Sequence, residues 1–205
     1  MTQRIAKQAN SQENQHSNSP SLIELSARHQ IEACRQGELD CLCGLYSIVN
    51  AIRLACEPQS PLGTRQIRRL FNLGLEYLNR KRKLEYALSS GTGVLHWKKM
   101  ALLLTQKLGE LGPQLLIEYP VPNYHATSRK MFDWIEAGLI VGSPTLLHLG
   151  EGYEHYTTIA GIDEKRIHLF DSSGFEHISR TSCGPKNKRH IITPLTMMRF
   201  SLAMD

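Results

Sequence analysis

The 205-residue chain lacks any apolar run near the ~18 residues needed to cross a bilayer. Met1 to Pro20 is almost wholly polar, so no secretory h-region is expected there. Cysteine is scarce and odd in number: five residues without a repeated spacing. That argues against a disulfide framework and predicts a reducing, cytoplasmic working place. Aromatic residues are few, at 7%, and the charge excess is small, +5 with a pI near 9.0. Such an excess solvates a protein and favours acidic partners, but does not by itself indicate nucleic acid. Nucleotide-binding fingerprints are missing as well. Ser89-Ser90-Gly91-Thr92-Gly93 has neither the further glycines nor the Gly-Lys pair that they require.

What remains suits a polar, disordered leader over 1–20, rich in Gln, Asn and Ser, followed by a single domain over 21–205. Leu45, Ile48, Val49 and Ile52 recur at i, i+3, i+4 and i+7, predicting an amphipathic helix that must stop before Pro58. Thr64 is the expected N-cap of a second helix, carrying Ile67, Leu70, Phe71, Leu75 and Leu78. It closes on Arg80-Lys81-Arg82-Lys83, a solvated cationic cap. Thr92 is the expected cap of a third helix, running to about Leu111 before Gly112-Pro113. A short helix over Ser21 to Ala27, an extended piece from His29 to Cys34 and a helix over Arg129 to Ala137 complete the helical half. Gln114–Tyr119 reads as a strand. So do Thr145–Leu149, His155–Gly161, Arg166–Phe170, Phe175–Ser179 and Leu195–Leu202, joined by short polar connections. Helices first and antiparallel strands after predict an α+β fold in two layers.

Cys43 falls in the first turn of the Leu45 helix, where unpaired N–H groups and the helix dipole favour a thiolate. Thiolates are nucleophiles, although most buried cysteines are inert. A nucleophile needs a base, and nine histidines compete for that role. His16, His96, His125, His177 and His190 read as leader, surface or loop positions. His155 begins a strand, and the next strand ends at Asp171. In an antiparallel hairpin these ends are neighbours, so the carboxylate would hold the imidazole's tautomer and raise its basicity. A metal site built on Cys41, Cys43 and a histidine is the weaker alternative, because Cys-x-Cys is not the usual zinc spacing. No metal or cofactor is expected.

Gln36, Cys43-Gly44-Leu45-Tyr46-Ser47, Ser143-Pro144, His155-Tyr156, Gly161-Ile162-Asp163 and Asp171 together resemble papain-like cysteine peptidases. They resemble most the bacteriocin-processing (double-glycine-type) peptidase domains of bacterial export transporters. The resemblance spans roughly Gln30 to Ser173 and implies a papain-like fold with the nucleophile on the central helix. It implies Cys43 as nucleophile, His155 as general base and acid, and Asp171 as the residue that orients it. Gln36 would donate its side-chain amide to the oxyanion, although it precedes Cys43 by seven residues where the family places six. Cys41, after Asp40, is the competing thiol, but the glycine, Tyr46-Ser47 and the helix start belong to Cys43. The implied activity is proteolysis of a protein or peptide substrate through a thioester. A deamidase, amidase or transglutaminase-like acyltransferase would use the same site. No transporter or ATPase segment accompanies the domain, which suits a bacterial toxin or effector protease. Such a protein would be delivered into a target cell's cytoplasm and held by a cognate inhibitor or immunity protein, with no membrane partner. A binding module using Arg65, Arg68, Arg69, Arg80–Lys83, Lys98 and Lys99 is the non-catalytic alternative. The absence of a recognised nucleic-acid motif argues against nucleic acid as its ligand.

Overall fold

A computed structural model describes residues 21–110, 112–121 and 127–203; the polar leader and His125 lie outside them. The helices are α1 (Cys43–Cys56), α2 (Thr64–Arg80), α3 (Leu84–Ser90), α4 (Val94–Gly109) and α5 (Ser128–Ile140). The strands are β1 (Ile23–Glu24), β2 (Leu115–Glu118), β3 (Thr145–Leu149), β4 (His155–Ile162) and β5 (Arg166–Leu169). They continue with β6 (His177–Ser179), β7 (Cys183–Gly184), β8 (His190–Ile191) and β9 (Met197–Leu202). The fold is α+β. Its main sheet runs β2-β9-β3-β4-β5-β6, antiparallel throughout, and β1 pairs with β4 beyond the end of β3.

Two features depart from the expected two layers. The last strand, β9, returns to lie between β2 and β3, so the sheet is not a simple meander. The sheet is also covered on both faces. Leu146, Met198 and Phe200 pack with α1 and α4, whereas Leu147, Leu149 and Met197 pack with α5. Strands buried on both sides read as continuous apolar runs instead of alternating ones, which hides the second layer in a sequence. Leu45, Ile48, Val49 and Ile52 form the expected buried face of α1.

The helix bounds shift for local reasons. Gly63, not Thr64, is the N-cap of α2, its N–H donating to Gln66 Oε1 at 3.0 Å. Gly93, not Thr92, caps α4, and α4 stops at Gly109. Thr127 caps α5, accepting from Lys130 N, and that helix extends to Ile140. The predicted helix over Ser21–Ala27 is instead β1 and a 3₁₀ turn over Ser26–His29. Gly161 permits this, because a Cβ there would sit 2.8 Å from Glu24 Cβ. The rest of the His29–Cys34 piece joins no strand and is tied to α1 through side chains. The helix α3 and the parallel pair β7–β8 were not anticipated.

Candidate active site

Cys43 is the first residue of α1, and α1 lies across β4: Thr158 Oγ1 donates to Ser47 O at 3.0 Å. Ser47 Oγ in turn donates to Gly44 O and accepts from Trp97 Nε1, so the first turn of the helix is fixed from two sides. A Cβ on Gly44 would meet Trp97, Thr92 and Tyr156 within 3.4 Å. This is the close approach that calls for glycine after the cysteine.

The register of β4 and β5 brings the second half together. Ile159 faces Leu169, and Phe170 N donates to Thr158 O, which leaves Asp171 beside the start of β4. His155 Nε2 and Asp171 Oδ1 are 2.6 Å apart. The other carboxylate oxygen accepts from Ser173 N at 2.8 Å and Phe175 N at 3.3 Å, so Asp171 is held from both sides. Nε2 is committed to Asp171, which leaves Nδ1 for the sulfur. Cys43 and His155 are each 7% exposed and Asp171 3%, so the trio is largely shielded from bulk water.

Burial alone would lower the His155 pKa. The hydrogen bond that His155 donates to Asp171, the neighbouring Cys43 sulfur and the Asp171 charge outweigh it and push it up to about 9. Asp171 answers in the opposite sense. Burial would raise its carboxyl, but the hydrogen bond and charge of His155, with the Ser173 N–H, hold it below the ordinary carboxylate value. An ionised carboxylate therefore sits against an imidazolium at neutral pH.

Gln36 lies in the irregular segment between the 3₁₀ turn and α1. Its N–H donates to Ser172 O, its Oε1 accepts from Ser172 Oγ at 3.1 Å, and its Nε2 reaches Asp40 O at 3.5 Å. It is thus anchored to the residue after Asp171 and to the loop that leads into Cys43. Cys41 is exposed, and its thiol donates to Ser89 O at 3.5 Å. Among the described residues no group of three His, Cys, Asp or Glu could hold a metal ion, so Cys41 and Cys43 gather no third ligand.

Several supporting residues have no motif of their own. Asn50, fully buried on α1, accepts from Cys34 N at 2.7 Å and donates to Cys34 O at 3.2 Å, tying down the segment that carries Gln36. Arg53 adds a bond to Glu32 O. Tyr153 and Phe175 stand edge-on to the His155 ring, with centroids 6.3 and 5.9 Å away. His190, expected at the surface, is buried against Tyr153 at 5.2 Å. His96 is half-buried with its Nδ1 engaged by Tyr77. An interior asparagine on an apolar helix face was the one available signal, because a buried amide requires partners.

No protein-family model, curated protein or solved structure matches this chain. No described helix is long and apolar enough to cross a membrane.

Proposed function

We propose that the chain is a papain-like cysteine protease acting on a protein substrate through Cys43, His155 and Asp171. The observation that carries this reading is the 2.6 Å His155–Asp171 pair beside a cysteine at a helix N-terminus. A buried ion pair is weak evidence of a stabilising role, which favours a chemical one.

In the proposed reaction the Cys43 thiolate attacks the carbonyl carbon of the scissile amide, forming a C–S bond and a tetrahedral oxyanion. The Cys43 N–H at the start of α1, and Gln36 Nε2 if it turns from Asp40, supply donors to that oxygen. Collapse breaks the C–N bond as the imidazolium of His155 gives its proton to the departing amine. Water, deprotonated by the now neutral His155, then attacks the thioester, and the acid leaves as Cys43 is regenerated. Asp171 keeps the ring oriented through both steps. Mapping new protein N-termini in lysates treated with wild type or with Cys43→Ala tests the activity. Cut sites confined to the wild type are expected. Deamidated or cross-linked products without new N-termini would instead make the enzyme a deamidase or acyltransferase.

A further inference from the structure

Thr64 to Lys107 carries ten lysines and arginines against two glutamates, whereas the remainder has fourteen against seventeen acidic residues. Arg65, Arg68, Arg69 and Arg80 share one exposed face of α2, and exposed Lys81, Arg82 and Lys83 continue it. Among the described residues none of these seven has a carboxylate partner. The turn is tightly made. Lys83 N donates to Leu78 O and Arg82 N to Asn79 O, both at 2.9 Å, with Arg82 at φ 54 where glycine is usual.

That turn folds α3 back toward the nucleophile loop. Cys41 N donates to Leu88 O at 3.0 Å, and its thiol to Ser89 O. Beneath α3 lies a cavity of about 280 Å³ lined by Leu78, Lys83, Tyr86, Ala87, Thr92 and His96, with the two glycines that flank Thr92. It is smaller than the ~300–1,000 Å³ of small-molecule pockets, a size suited to one side chain. Thr92, which lines this cavity, is 6% exposed, and its buried hydroxyl has no hydrogen-bond partner among the described residues. The same Thr92 sits against Gly44, the residue after the nucleophile.

We propose that this cavity is the specificity pocket for an acidic side chain of the substrate, N-terminal to the scissile bond. The α2 face and the 80–83 turn then bind the acidic stretch leading into it. The inference rests on the hydrolase reading of Cys43. Leu78 and Ala87 suit the methylenes, while Lys83 and His96 Nε2 suit a carboxylate. His155 delivers its proton to the leaving amine, so the departing half lies on the side of Tyr153 and Phe175. The cavity adjoins Gly44 and the Cys41 carbonyl through Thr92 and Gly91, on the nucleophile's side of the pair, and is assigned the acyl half. A single-stranded nucleic acid would need aromatic platforms in series, and the pocket offers one, Tyr86.

The test uses the full chain carrying Cys43→Ala and labelled peptides of equal length, one rich in Glu and one with Gln in its place. A single-stranded oligonucleotide and vesicles containing anionic lipid are the competing probes. The Glu peptide is expected to bind about tenfold more tightly than the Gln peptide, and Lys83→Glu to abolish that preference. Arg82→Gly is expected to weaken Glu-peptide binding while raising the melting temperature, which separates lost charge from lost fold. Equal affinity for the two peptides, a preference that survives Lys83→Glu, or tighter binding of oligonucleotide or vesicles overturns the assignment. Alkylation of Cys43 in the wild-type chain keeps the two readings apart. Fast alkylation without an acidic preference refutes the pocket alone, whereas slow alkylation with the preference intact refutes the hydrolase and keeps the pocket as an anion site.

Discussion

Replacing Asp171 with Asn keeps the shape of the side chain and removes its charge. The amide oxygen still accepts from Ser173 and Phe175, but the partner at 2.6 Å from His155 Nε2 becomes neutral. The imidazole then loses the chief influence that lifts it to about 9 against its own burial. A fall to the ordinary value of about 6.5 corresponds to about 3 kcal/mol of lost imidazolium stabilisation. The sign of the stability effect follows. The raised His155 contributes fully below its unfolded pKa of about 6.5, and that contribution is lost as pH rises through about 9. The lowered Asp171 contributes above its unfolded value of about 3.9 and loses that contribution as pH falls. Wild type and Asp171→Asn should therefore differ most between about pH 4 and about pH 6.5, and the difference should narrow as pH rises through about 9. Histidine NMR titration and urea midpoints read the two effects independently. A wild-type His155 midpoint near 6.5, or one that stays near 9 in Asp171→Asn, would refute the reasoning.

Gly74→Ala places a Cβ against Leu45 Cδ1 between α1 and α2, closer than two carbon atoms can approach. It should cost about 1–3 kcal/mol by overpacking, seen as a drop of about 2–4 °C in Tm per kcal/mol. Unchanged Tm would mean that Leu45 moves freely aside. Asn50→Ala strands the Cys34 N–H and C=O, at a cost of about 2–4 kcal/mol in the urea midpoint. A neutral result would show that the Gln36 segment is held without it. Gln36→Ala should lower kcat on an activated ester by about 10²–10³ while Cys43 alkylation stays at the wild-type rate. Equal losses in both would make Gln36 an anchor of the loop instead of an oxyanion donor.

The parts of this fold that repeat were legible in the sequence. The 3.6-residue pattern of α1 and the hairpin ends at His155 and Asp171 depend on local periodicity and antiparallel register, which the residues themselves carry. What escaped notice depends on long-range packing. The placement of β9 between β2 and β3 is a matter of chain return, and the layer formed by α5 is concealed by the two-sided burial of β3 and β9. The short α3 was hidden because the basic run reads as the cap that closes α2 and Ser89-Ser90-Gly91 reads as loop. In fact Arg82 in the left-handed region turns the chain straight into a new helix. The extended piece before the site was legible as non-helical, but its ties to Asn50 and Ser172 are contacts across 16 and 136 residues that no spacing rule reaches.

Mapped alkylation of the five cysteines by an iodoacetamide- or epoxide-type reagent at neutral pH tests the central claim most directly. The reagent should modify Cys43 first and stoichiometrically, faster than exposed Cys41, with that selectivity lost in His155→Ala. Modification of Cys41 ahead of Cys43, or a Cys43 rate no greater than that of buried Cys183, would contradict the nucleophile assignment.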